Sequence, residues 1–153
     1  MTTRERILEV AAGKIGGYGK GSPEVQAIWR EVLDANMTNA QIVQFAAQRA
    51  WCGGFVLNCL REAGATNAQW KIGQGFVLNL LGHNAATKTP QPADIGIRQG
   101  TPPHLVYHHF LVEKYNGPND WDSIDGNSPH CARHHHTALD PTIVFYSIER
   151  LLP

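Results

Sequence analysis

The chain has 153 residues, enough for one domain with a real core, and 13 Lys and Arg balance 13 Asp and Glu, so net charge is zero with neutral histidines. That balance lacks the basic excess of a sequence-independent nucleic-acid binder, and no apolar run approaches the ~18–20 residues that cross a bilayer, so neither nucleic acid nor membrane insertion is expected. Few charges with 15 Gly and 9 Pro fit a compact, turn-rich fold rather than a disordered chain.

Residues 1–5 lead straight into an amphipathic pattern and lack an apolar signal core, so synthesis in the cytoplasm without a Sec-type signal is expected. Thr2 and Glu5 form a capping-box pattern, and Ile7, Leu8, Ala11 and Ile15 predict one apolar helix face that ends at Gly16-Gly17. Ser22-Pro23-Glu24 is a second start signal, followed by the stripe Val25, Ile28, Trp29, Val32 and Leu33. Thr38 and Gln41 cap a third helix to about Ala47. In WCGGFVLNCLREAG (51–64), the positions Cys52, Phe55, Val56, Cys59, Leu60 and Ala63 share one face, and Gly64 is the stop. Cys52 stands at the start of this helix. Cys52 and Cys59 lie roughly 10 Å apart along the axis, too far for a disulfide, so the three cysteines do not form a disulfide scaffold.

Residues 66–90 read ambiguously, FVLNLL (76–81) as helix or strand. Strands are predicted at Asp94–Arg98, Leu105–Lys114, Ser123–Asp125 and Thr142–Ser147, with turns at Asn116-Gly117-Pro118 and Asp140-Pro141. Helices first and antiparallel strands afterwards imply a single α+β domain over 1–153.

A thiol attacks an amide as thiolate, so it needs a lowered pKa and a base. The start of a helix favours negative charge, and its unpaired N–H groups can hold an oxyanion, which makes Cys52 the candidate nucleophile. Gly53 and Gly54 read as keeping the approach to it open. In YHHFLVEKY, alternation puts Tyr107, His109, Leu111 and Glu113 on one face and His108, Phe110 and Val112 on the other, so one histidine faces the site and the other faces away. Asp125 or Asn127, two apart and on a common face if extended, can orient the imidazole.

This order of Cys, His and acidic or amide residue resembles the CHAP (cysteine, histidine-dependent amidohydrolase/peptidase) family and its NlpC-type relatives. WCGGFV is similar to the family's Trp-Cys-Ala-Ala-Phe-Val. Pro92-Ala93-Asp94-Ile95 resembles its Pro-Gly-Asp-Ile, His109-Phe110-Leu111-Val112 its His-Val-Gly-Ile-Val, and Ile124-Asp125-Gly126-Asn127 its Ile-Glu-Gly-Asn. The N-terminal helices look like the lead-in of phage-type members.

The resemblance implies a papain-like fold, with N-terminal helices packed on a C-terminal antiparallel sheet. It implies a cofactor-free cysteine amidase or endopeptidase that cleaves a peptidoglycan amide in the stem peptide or cross-link. Cys52 is then the nucleophile, His109 the base, Asp125 the orienting third member and Asn127 a supporting or alternative one. His108 is the other register, and His109 is adopted because Phe110 and Val112 then take core-facing positions. Tyr18 and Trp51 are candidate substrate contacts, as are His108 and Trp121; Trp70 and Trp121 offer faces for sugar stacking. Without a signal peptide, such an enzyme reaches the wall by lysis, by injection into a rival or as part of a phage particle, so an immunity protein, a secretion machine or a phage component is the expected partner.

Two alternatives accompany this reading. The domain can be a catalytically inactive wall-binding or phage structural module, or a metal-dependent hydrolase using His130-Cys131-Ala132-Arg133-His134-His135-His136. That cluster reads as a flexible loop, and adjacent histidines on a loop rarely all point inward, so no metal is expected there. A milder role for the loop is to adjust affinity for an anionic wall as pH falls.

Overall fold

The computed structural model describes residues 1–33, 36–65, 81, 83–100, 108–127 and 129–153. Trp70, Tyr107, residues 66–80 of the ambiguous segment and the Leu105 start of the long strand lie outside the described residues. Among the described residues, helices come first: α1 (Thr3–Gly13), α2 (Pro23–Val32), α3 (Asn39–Gln48) and α4 (Cys52–Glu62). Strands follow: β1 (Ala86–Thr87), β2 (Ile95–Arg98), β3 (His108–Gly117), β4 (Asp120–Asp125), β5 (Ala132–His136) and β6 (Ile143–Tyr146). They form one sheet in the order β1-β6-β2-β3-β4-β5, with every neighbouring pair antiparallel. The class is α+β. No helix among the described residues is long and apolar enough to cross a membrane.

Local chemistry sets the helix starts. Thr2 Oγ1 accepts from the Glu5 N–H while the Glu5 carboxylate accepts from the Thr2 N–H, and Thr38 with Gln41 repeats the box on α3. Ser22 caps α2, and Pro23 occupies its first turn, where the missing N–H costs nothing. Each cap contributes about 1 kcal/mol. The face expected of α1 is shorter than its pattern: Ile7 and Ala11 are buried, but Ile15 lies past the helix end and is exposed.

The stripe expected of α4 is also corrected. Every residue from Cys52 to Leu60 is buried, because β3 packs on one side of the helix and α1 and α2 on the other. Gly54 serves this packing rather than an open approach to Cys52. A Cβ there would lie 2.9 Å from the Trp29 ring, so glycine lets α2 close on α4.

The sheet separates two apolar clusters. The larger lies between helices and sheet and includes Trp29, Trp51, Phe55, Leu111 and Ile124; the smaller comprises Phe110, Val112 and Trp121, flanked by Tyr115, Ile143 and Phe145. Alternation along β3 sends Leu111 to the first and its neighbours to the second. Phe110 and Val112 therefore do not face the main core, as the adopted histidine register requires. Phe110 instead lies across its cross-strand partner Gly96, where a Cβ would sit 2.0 Å from the ring.

Residues 132–136 are not a flexible loop. They form β5, paired residue for residue with 121–125, and the bridge between Cys131 and Gly16 ties the start of that strand to the end of the first helical segment. Just before β2, Asp94 is buried and accepts from Arg4 Nη1 at 2.8 Å and from the backbone N–H groups of Gln91 and Ile148. Arg4 also reaches the Pro92 carbonyl at 2.7 Å and Glu149 at 3.2 Å.

Candidate active site

α4 begins at Cys52 with Trp51 as its N-cap, and no side chain caps the first turn. The first backbone N–H groups of a helix have no acceptor within it, so this end presents donors and a positive dipole end beside the thiol. Three further features fix what meets it. The start of β3 supplies His108 and His109. The end of β4 supplies Asp125. Gly126 then lets β4 approach α4, since a Cβ there would lie 2.7 Å from Phe55 and 2.8 Å from Trp51.

The structure brings both histidines to the sulfur, which corrects the expectation that one faces away. Consecutive strand residues project to opposite faces, so both can reach one sulfur only if Cys52 stands at the end of β3 rather than over one face. The second ring lies against the helix start at Gly53, whose Cβ position would be in ordinary contact with His109 Nδ1 at 3.5 Å. His108 Nε2 lies 2.7 Å from Asp125 Oδ2, both side chains being buried. With Nε2 committed to the carboxylate, Nδ1 is the nitrogen left for the sulfur.

Electrostatics follow from this line. Burial opposes ionisation of Cys52, but hydrogen bonds with His108 and then His109, together with the charges of both rings, outweigh it and lower the thiol to about 5. Burial likewise opposes charge on His108, yet the hydrogen bond to Asp125 and the contact with Cys52 raise it to about 9. Both shifts favour the proton on His108 and a thiolate at Cys52. An imidazolium held between a thiolate and a carboxylate is equipped for nucleophilic attack followed by proton donation.

The other expected residues fall elsewhere. Asn127 is not on a common strand face with Asp125; it lies beyond β4 at φ 65°, a left-handed conformation asparagine tolerates. Trp51 is fully buried between Tyr18 and Phe55, at ring distances of 5.9 and 6.3 Å, and is a core residue rather than a substrate contact. The Tyr18 hydroxyl donates to the Lys14 carbonyl, so it is committed to the end of the first helical segment. Trp121 is buried too, and the ring stacked on it at 3.6 Å is His136, which leaves no such face for a sugar. Cys59 is sealed in the core, and burial pushes its thiol well above the ordinary range. Among the described residues, no group of three or more His, Cys, Asp or Glu side chains is gathered to hold a metal, the 130–136 run included.

Sequence reasoning missed Ser123 and His136, which stand behind Asp125. The alternation Trp121, Ser123, Asp125 on β4 was the available signal for the serine; the histidine became visible only once 132–136 was a strand. His108 carried a signal as well. Laid without a gap on His-Val-Gly-Ile-Val, the run His108-His109-Phe110-Leu111-Val112 puts His108 at the histidine position. Comparison with protein-family models, with curated proteins and with solved structures finds no match for this chain.

Proposed function

We propose that this chain is a cysteine hydrolase of papain-like, CHAP/NlpC type that cleaves an amide bond of peptidoglycan, with Cys52 as nucleophile, His108 as its acid and base, and Asp125 as the orienting carboxylate. The observation that carries the reading is the His108 ring, bonded through Nε2 to Asp125 and in contact with the Cys52 sulfur at a helix start. The base assigned from sequence thus moves from His109 to His108, and His109 becomes a second imidazole supporting the thiolate. A detail of the backbone also favours the family: Ala93 takes φ 70°, a conformation glycine prefers, where the CHAP pattern Pro-Gly-Asp-Ile has its glycine.

In this reading, the thiolate adds to the amide carbonyl, and backbone N–H groups at the start of α4 hold the oxyanion. His108 gives its proton to the departing amine, leaving a thioester on Cys52. The neutral ring then takes a proton from water, hydroxide adds to the thioester, and collapse returns the thiolate and a free carboxylic acid. The chemistry draws on no cofactor. The peptidoglycan assignment rests on the resemblance in sequence, and the amide chemistry on the site.

The test is incubation of the purified chain with peptidoglycan sacculi, followed by mass spectrometry of the released muropeptides, with Cys52→Ala as control. New amine and carboxyl ends that depend on Cys52 support the proposal and identify the bond. Unchanged sacculi alongside a rapidly alkylated Cys52 would discard the substrate and keep the thiol chemistry. A Cys52 no more reactive toward iodoacetamide than a model thiol would mark the domain as an inactive module.

A further inference from the structure

Asp125 is buried and has two oxygens, of which His108 occupies Oδ2. A buried oxygen needs a donor of its own, and Oδ1 receives one from the Ser123 hydroxyl. Ser123 is fully buried, and its Oγ also lies 3.0 Å from Nε2 of His136. A hydroxyl has one proton to give. With that proton spent on Asp125, the contact with His136 requires Nε2–H to be the donor, which fixes the tautomer of the second ring. The contact is diagonal across the strands: Trp121 is paired with His136, and Ser123 with His134. His136 is held flat on Trp121, 3.6 Å away with 5° between the planes.

We propose that Ser123 and His136 are positioning residues of this site: His136 donates to Ser123, Ser123 donates to Asp125, and the chain holds the carboxylate in line with His108. The inference rests on the reading of Cys52, His108 and Asp125 as a catalytic line. It gives Trp121 and part of the 130–136 run a role that is neither sugar stacking nor metal binding. Donors in series polarise one another, so the chain acts as a unit and its removal in parts is not additive. The charges around the His136 ring are Asp125 and Asp122 on β4, Arg98 on β2 and His134 on its own strand; burial leads in holding its protonation below the ordinary range, so near neutrality it is the neutral, donating tautomer.

The test needs no substrate. The iodoacetamide alkylation rate of Cys52, followed against pH, reads the acid limb of the thiolate directly, with peptide mapping to separate it from Cys59 and Cys131. Ser123→Ala is expected to move that limb upward by about half to one pH unit. His136→Phe, which keeps a flat ring over Trp121 but has no N–H, moves it in the same direction by less. The double variant moves it no further than Ser123→Ala alone. If Ser123→Ala fails to fold, His136→Phe carries the reading. A shift in melting temperature with an unchanged alkylation profile, or additive shifts in the double variant, would overturn the inference and leave the catalytic reading standing. A wild-type Cys52 with an ordinary thiol profile would overturn both.

Discussion

Cys52 and Cys59 ride the same helix, both buried, and their surroundings drive them in opposite directions. At Cys59, burial pushes the thiol up and nearby charges do not offset it. At Cys52, burial acts in the same sense, but two imidazoles reverse the outcome and hold the thiol near 5. The helix end contributes to the contrast, since the dipole favours an anion in the first turn and not in the interior. Burial alone therefore says nothing about whether a cysteine is chemical or structural. What decides is whether donors and cations surround the sulfur once water has been removed.

The sharpest break in this comparison is to remove each sulfur. Cys52→Ala should lower hydrolysis by about 10⁴-fold or more, whereas Cys59→Ala should leave turnover intact. Next, His108→Ala should return the Cys52 thiol toward its ordinary range and cut alkylation at pH 6 by on the order of 10²-fold, because little thiolate then remains. The native pH–rate profile sharpens the same point. Activity should rise through about 5 as Cys52 ionises and fall through about 9 as His108 loses the proton needed by the leaving amine. Gly126→Ala should push β4 away from Phe55 and Trp51, costing about 1–3 kcal/mol in a denaturant titration. The smallest effect belongs to Cys59→Ser, which puts a hydroxyl in a sealed apolar site; about 1–2 kcal/mol of stability should be lost with no change in the Cys52 alkylation profile.

Helix starts were legible in the sequence because capping is local chemistry: Thr2 with Glu5, Ser22 with Pro23 and Thr38 with Gln41 place their donors and acceptors within three residues of each other. The position of Cys52 followed from the apolar spacing and the Gly64 stop of α4, which has no side-chain cap, and Asp125 from a strand pattern. What was not legible depends on long-range contacts. Gly54 reads in sequence as keeping the approach to Cys52 open, and only the Trp29 ring beside it explains the residue. The run 132–136 looks like a histidine loop, and only its pairing with 121–125 makes it a strand. The choice between His108 and His109 was not legible for a related reason. Face alternation assigns one ring to the site, whereas both rings reach the Cys52 sulfur.

Arg4 joins the first helix to Pro92 and Asp94 and, across 145 positions of sequence, to Glu149. A contact across that length of chain must offset the closure entropy of the loop it completes, and the exposed arm to Glu149 returns little of it. Its failure would work inward from the molecular edge. Trimming the first six residues would leave the sealed carboxylate of Asp94 with backbone donors alone, slackening the start of β2 and, through β3, the seat of the histidines.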